Sequence, residues 1–183
     1  MRSKRAEGAA PRRAEPPEEE NETMLILNTG GTFNKRYNIV SGELEVPYDN
    51  DAVEAATKHF GYELNVAGAI YKDSLEMTAD DRKMLADIIN ESEEDTIVVV
   101  HGTDTMDLSA EFIAETVPDK AVIFTGAMIP FIIDPIDATA NLCMALGYAA
   151  SHPAPGAYIV MQGLIAPYDR IEKNREMGRF EIV

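Results

Sequence analysis

The stretch that most constrains this chain is 96–106, Thr-Ile-Val-Val-Val-His-Gly-Thr-Asp-Thr-Met. Ile97, Val98, Val99 and Val100 run without a polar break. An unbroken run of β-branched residues fits a strand buried on both faces. A parallel sheet carries helices on both sides and leaves no face for water. The run stops at His101 and Gly102, and Thr103, Asp104 and Thr105 follow as hydroxyls around one carboxylate. Residues 105–116 carry Leu108, Phe112 and Ile113 at helical spacing, which predicts a helix with those three on one face. Thr103, Asp104 or Thr105 would stand near its N-cap, where a side-chain oxygen takes up free amides. In open α/β sheets such strand ends line the crevice where ligands bind. Helix capping alone would also account for these residues, but a second copy of the design near the start favours a site.

That copy is a short apolar strand, 24–27, followed by Asn28-Thr29-Gly30-Gly31-Thr32-Phe33-Asn34. Adjacent glycines allow a sharp turn and close approach to a ligand, and leave Thr32 just past the strand end with its hydroxyl free. The G-x-G-x-x-G pattern of a dinucleotide site is missing. Residues 35–42 read as an irregular polar loop containing Tyr37, either a lid or an ordinary surface connection.

Further along, 50–60 reads as a helix and 64–71 as a strand. A helix over 79–90 carries Met84, Leu85, Ile88 and Ile89, with Thr78 as its N-cap and Asp80 and Asp81 in its first turn. Strand 121–124 ends in Thr125-Gly126-Ala127-Met128. Helix 136–150 follows a loop punctuated by Pro130 and Pro135, with Leu142, Ala145 and Leu146 inward and Cys143 and Met144 as core filling. A last strand, 157–161, precedes a polar segment, 166–175. Five strands alternating with helices predict a single α/β domain: a doubly wound, mostly parallel sheet in three layers. Four of the five strands end in hydroxyl- or glycine-rich turns on one edge.

Composition narrows the function. A net charge of −16 would repel phosphates and argues against nucleic-acid binding. One cysteine, Cys143, rules out an internal disulfide, and His59, His101 and His152 lie on three elements, so no zinc constellation is expected. No apolar stretch approaches the ~18 residues of a membrane span. Residues 1–23 hold arginines, glutamates and prolines with almost nothing apolar, and are expected to form a disordered charged tail. Without an apolar h-region they do not read as a secretory signal, so a cytoplasmic location is expected.

Taken together and in order, Thr29-Gly30-Gly31-Thr32, Asp73-Ser74-Leu75-Glu76-Met77, His101-Gly102-Thr103-Asp104-Thr105-Met106 and Thr125-Gly126-Ala127-Met128 resemble the four motifs of the bacterial-type L-asparaginase/glutaminase family. The likeness covers about 24–175, that family's amino-terminal domain, so 24–183 reads as a short member with one catalytic domain. The resemblance implies an L-asparagine amidohydrolase that releases aspartate and ammonia through a threonyl acyl-enzyme, without a cofactor or metal. It implies Thr32 as nucleophile, Tyr37 as its loop companion, and Thr103, Asp104 and Lys173 as a hydrogen-bonded catalytic set. Ser74 and Asp104 would hold the substrate's α-groups, with Gly31, Thr103 and Ala127 completing the binding positions. It also implies a homo-oligomer, because in two-domain members the second domain reaches into a neighbouring subunit's site. Those members often carry a glutamine where this chain has Leu75.

The residue chemistry agrees with that expectation on its own terms. A threonine hydroxyl is a weak nucleophile and needs a base nearby, and a desolvated lysine can supply one through Thr103. Backbone N–H groups at glycine-rich strand ends suit a developing oxyanion, and Asp104 suits an ammonium. Two other readings use the same residues. One is a related amidase acting on glutamine or on an amide carried by transfer RNA, and the other is a weakly active amino-acid-binding homologue.

Overall fold

The unbroken apolar run does lie at the middle of a sheet. A computed structural model describes residues 24–183; the expected charged tail, 1–23, lies outside the described residues. In chain order the elements are β1 (Met24–Gly30), β2 (Arg36–Asn38), β3 (Glu43–Glu45), α1 (Asp51–Thr57), β4 (Leu64–Lys72), α2 (Ala79–Glu91) and β5 (Thr96–Val100). There follow α3 (Met106–Thr116), β6 (Ala121–Thr125), α4 (Pro135–Ala149), β7 (Gly156–Met161), β8 (Leu164–Pro167), β9 (Ile171–Asn174) and β10 (Arg179–Ile182). Six strands form one sheet in the order β4-β1-β5-β6-β7-β8. All neighbours pair in parallel except β8, which runs antiparallel along the β7 edge. Asn28 lies opposite Val100, and Val100 opposite Thr125, so β1, β5 and β6 end level and their loops open on one edge.

Helices cover both faces, which is why β5 needs no polar side. Leu85, Ala86 and Ile89 of α2 join Met106, Ala110 and Ile113 of α3 over one face. Val53 of α1 joins Ala138, Leu142, Ala145 and Leu146 of α4 over the other. The result is the three-layer doubly wound arrangement expected, with β8 and two antiparallel hairpins, β2–β3 and β9–β10, added to it.

The pattern misleads at several positions for identifiable reasons. The buried stripe of α3 runs through Met106, Ala110 and Ile113, so Leu108, two residues or about 200° round the helix from either neighbour, stands half exposed while Ser109 is buried. Met84 on α2 and Cys143 on α4 each sit one residue from a buried leucine and turn outward, so Cys143 is exposed rather than core filling. Thr105 occupies the N-cap of α3, yet its hydroxyl makes no cap bond and instead donates to the Ser74 carbonyl oxygen at 2.7 Å. The polar loop at 35–42 belongs to hairpin β2–β3, and the polar segment 166–175 contains all of β9. Thr78 behaves as expected, forming a capping box with Asp81.

Candidate active site

Backbone contact at the level strand ends builds the site first. Gly31 has φ 72°, a left-handed conformation that favours glycine. A side chain there would overlap the Gly102 backbone, so the turns after β1 and β5 meet main chain to main chain. A Cβ on Gly102 would lie 2.7 Å from the Ser74 hydroxyl oxygen, which brings in the turn after β4. The glycines are therefore required by the approach of three loops.

Polar side chains then close the cluster. Lys173, on β9, donates from Nζ to the Thr103 hydroxyl at 2.7 Å and to Asp104 Oδ1 at 2.8 Å. The lysine side chain is 15% exposed and the aspartate 32%, so the lysine end is the more sheltered, and Asp104 Oδ2 has no hydrogen bond among the described residues. The Asp104 N–H donates to Ser74 Oγ at 3.2 Å, leaving the serine proton free to donate elsewhere. Arg175 reaches the Asp104 carbonyl oxygen at 2.8 Å. A cavity of about 100 Å³ adjoins this group, lined by Thr103, Asp104, Asp107, Lys173, Arg175 and Phe180 among others.

Thr32 opens a 3₁₀ turn, Thr32–Asn34, on the adjoining loop, and is partly buried. Ala127 is fully buried in the turn after β6, one residue beyond Gly126, whose Cα lies against the His101 carbonyl oxygen. Tyr37 sits on β2 opposite Leu44 and is 61% exposed, its hydroxyl unbonded among the described residues. Hydrogen bonds thus join Thr103, Asp104, Lys173 and Ser74. Gly31 and Thr32 come with them through the Gly31–Gly102 contact, and Tyr37 is not tied in.

Electrostatics grade the rim. Asp73 opposes its own burial with a 2.5 Å pair to Lys35 and with the Leu75 N–H. Burial alone would raise its carboxyl, but those partners hold it below the usual aspartate value. His101 is fully enclosed, and burial pushes its imidazole down to about 4. Its Nδ1 lies 2.7 Å from the Gly102 carbonyl oxygen and so carries the proton, while Nε2 has no partner among the described residues. No group of three or more histidine, cysteine, aspartate or glutamate side chains among those residues could hold a metal ion.

The sequence reading missed a set of asparagines. Asn28 and Asn34 are buried and hydrogen-bonded to each other across the Thr32 turn. The available signal was Asn28 itself, an amide that directly follows the apolar run Met24–Leu27 within one strand, where asparagine is disfavoured unless its side chain is satisfied.

The family description "Asparaginase, N-terminal" matches residues 23–179. The chain is 31% identical over 146 residues to one of the subunits of a glutamyl-tRNA(Gln) amidotransferase from Methanococcus maripaludis, covering 76% of this chain and 35% of that protein. It is 28% identical over 166 residues to an L-asparaginase from Thermococcus kodakarensis, covering 85% of this chain and 48% of that one. The solved structure of a thermostable L-asparaginase from that organism superposes with a TM-score of 0.76 at 26% identity, over 88% of this chain and 51% of that chain. The chain therefore spans about half, or less, of the length of these relatives.

Proposed function

The chain belongs to the asparaginase family, and on that premise we propose that it is an amidohydrolase that releases ammonia from L-asparagine through a threonine nucleophile. The observation that carries the reading is Lys173, held 2.7 Å from the Thr103 hydroxyl and 2.8 Å from Asp104 although some 70 residues separate them in sequence. A half-buried lysine shared between a hydroxyl and a carboxylate at a strand-end crevice is the arrangement expected of a proton-transfer site.

In this reading the Thr32 oxygen attacks the side-chain amide carbon while its proton passes through the Thr103 hydroxyl to Lys173 in its free-amine form, which then gives it to the leaving nitrogen, with Tyr37 as the loop companion of the nucleophile. Backbone N–H groups of the meeting turns take up the oxyanion. The carbon–nitrogen bond breaks as the nitrogen receives a proton, and ammonia leaves a threonyl ester. Water then attacks that ester, releasing aspartate and restoring the hydroxyl. The free oxygen of Asp104 holds the α-ammonium and the Ser74 proton the α-carboxylate, with Gly31 and Ala127 completing the lining.

Ammonia release from L-asparagine tests this directly. The full chain should turn over, and a folded Thr32→Ala variant should lose most of that turnover. Undiminished activity in Thr32→Ala overturns the nucleophile. The similarity to a component of a glutamyl-tRNA(Gln) amidotransferase supports a second reading, an amidase for glutamine or for an amide on a larger carrier, which the same assay with glutamine separates.

We include self-association in the proposal. Ile129, Ile132, Ile133 and Ile136 stand exposed around Phe131, whose ring stacks on Phe33 next to Thr32, and an apolar rim of this kind is suited to burial against a second copy. Light scattering at assay concentration checks it, and a fully active monomer contradicts it. No helix among the described residues is long and apolar enough to cross a membrane. A cytoplasmic location is part of the proposal, and fractionation of cells carrying a tagged chain tests it.

A further inference from the structure

The turn that carries Thr32 is tied shut by two side chains with no role in the reaction as described. Asn28 is fully buried near the end of β1, and Asn34 is 3% exposed at the end of the 3₁₀ turn. Their amides face each other. Asn28 Nδ2 donates to Asn34 Oδ1 at 3.1 Å, and Asn34 Nδ2 donates to Asn28 Oδ1 at 2.8 Å. The same amides also hold the main chain between them. The Gly30 N–H donates to Asn28 Oδ1 at 3.0 Å, and Asn34 Nδ2 donates to the Gly30 carbonyl oxygen at 2.8 Å.

This pair closes a loop of seven residues around Gly30, Gly31, Thr32 and Phe33. Gly30 and Gly31 both have positive φ, 102° and 72°, so the turn has no intrinsic preference for one shape. Its own backbone bonds, from the Asn34 N–H to Gly31 and the Lys35 N–H to Thr32, are both 3.2 Å, at the long end of the range. The Gly31 N–H is anchored to the Lys72 carbonyl oxygen at 2.9 Å, but from Thr32 to Asn34 the backbone has only long bonds, which leaves the position of the Thr32 hydroxyl to be fixed by side chains.

Further residues back the pair. Asn28 Nδ2 also reaches the Asp49 carbonyl oxygen at 3.2 Å and Asn50 Oδ1 at 3.0 Å. Asn50 sits at the N-cap of α1 yet makes no cap bond; its oxygen accepts from Asn28 and from the Tyr71 hydroxyl at 3.2 Å. Tyr71 adopts φ 64°, a left-handed conformation that is costly for an aromatic residue. Its ring lies where a side chain at residue 68 would be, and Gly68 leaves that space open. Strain at Tyr71, a bare glycine and a diverted cap converge on one amide pair, more than a surface turn requires.

We propose that Asn28 and Asn34 are positioning residues for the nucleophile. Their reciprocal buried amide pair, supported by Asn50 and Tyr71, holds the Gly30–Gly31 turn in the one shape that presents the Thr32 hydroxyl to the substrate. The inference rests on the reading of Thr32 as nucleophile. It assigns the pair to the approach of the attacking oxygen and not to substrate binding, since the α-groups are held by Ser74 and Asp104 on other loops.

The test is turnover of L-asparagine by the full-length Asn34→Ala and Asn28→Ala variants and by the double variant. Binding of the product L-aspartate is measured alongside by calorimetry. Each single variant should lose at least about tenfold in kcat, the scale of a modest misplacement of reacting atoms. L-aspartate should still bind at wild-type Kd and full stoichiometry, which a partly unfolded sample would not show. The double variant should lose no more than about twofold beyond the worse single, because the two amides act as one unit. Wild-type kcat in the single variants, or additive losses in the double, overturns the inference. If the alanine variants lose L-aspartate stoichiometry, Tyr71→Phe decides. A kcat loss of about two- to fivefold with unchanged Kd and stoichiometry sustains the inference, and unchanged kcat overturns it. Thr32→Ala is run beside them. If it keeps wild-type turnover, the nucleophile reading falls and this inference with it. If it is inactive while Asn34→Ala matches the wild type, only this inference falls.

Discussion

The two turns that meet at Gly31 and Gly102 are held by opposite chemistry. The turn after β1 is closed by uncharged amides, two buried and one half-buried, that lie within 22 residues of each other in sequence. The turn after β5 is closed by charge, a lysine arriving from β9 across about 70 residues, with an arginine beside it. Neutral amides give fixed geometry that pH and salt scarcely touch. A lysine and an aspartate give a field and a proton, at the cost of sensitivity to both. The proposed division of labour follows: the neutral side aims an oxygen, and the charged side holds an ammonium and moves a proton. Each prediction below acts on one side and should leave the other intact.

The largest effect is expected on the charged side. Lys173→Met keeps much of the stem's bulk but strips the donor from Thr103 and Asp104, so kcat should fall on the order of a thousandfold, about 4 kcal/mol of barrier. Hydrogen exchange at the Gly30 and Asn34 amides should match the wild type, because the neutral turn is untouched. A Lys173→Met variant with near wild-type kcat would make the lysine a mere strut and dissolve the contrast.

Next in size is an acid effect lodged at the end of β5. His101 is buried neutral, with a pKa near 4 against about 6.5 when unfolded. The unfolded chain therefore binds a proton that the native chain refuses, and stability is lost as pH falls from about 6.5 through 4. The lowered pKa corresponds to on the order of 3 kcal/mol by pH 4. Urea unfolding at pH 7, 5.5 and 4 reads this out, and His101→Phe should flatten the curve over that window. An equal slope in the variant would assign the acid loss to carboxylates instead.

Substrate choice sharpens the same contrast from outside. In the proposed reading, where Asp104 and Ser74 fix the α-groups and the Thr32 turn fixes the nucleophile, glutamine must buckle to bring its longer arm within ~3–3.5 Å of the hydroxyl. Leu75, 65% exposed, offers no hydrogen bond to re-anchor a shifted substrate. Catalytic efficiency for glutamine should be at least about tenfold below that for asparagine. Efficiencies within twofold of each other would mean that one side gives way.

How much of this could be read from the sequence follows the same division. The charged side was legible because its strand-end motifs resemble those of a known family: the resemblance implied Thr103, Asp104 and a downstream lysine as one set, and Lys173 fitted that lysine by its place after the last expected strand. The parallel sheet was legible from runs such as 97–100, whose burial on both faces leaves a one-dimensional signature. The amide side was not legible. Asn28, Asn34 and Asn50 are separated by 6 and 22 residues, and nothing local says that three amides point at one another. Edge strand β8 and the separate hairpin β9–β10 were missed because strands of four residues carry too few positions for a period to be told from a loop. Cys143 and Leu108 show the limit of helical spacing: one step of 100° separates a core position from solvent.

The smallest predicted effect concerns the pair that straddles the two sides. Lys35 follows the Thr32 turn and meets Asp73, next to Ser74, at 2.5 Å, with both side chains about a quarter exposed. Burial works against the Asp73 charge, but Lys35 and the Leu75 N–H outweigh it and the carboxyl sits below the usual value of 3.8. A depressed folded pKa contributes stability that is present above the unfolded pKa and lost as pH falls through the folded one, so this pair acts above about pH 4. Because the pair is partly solvated, its worth is discounted to about 1 kcal/mol or less. Lys35→Met should therefore lower stability by that amount at pH 7 in dilute buffer. The difference from the wild type should shrink in 1 M salt, where charges are screened beyond about 3 Å, and again below pH 4. The losses in Asn28→Ala and Asn34→Ala should stay the same in both conditions, since no charge is involved. If the Lys35→Met difference persists undiminished in salt and acid, the side chain acts by packing. The boundary between a neutral and a charged half would then have to be drawn on the other side of this residue.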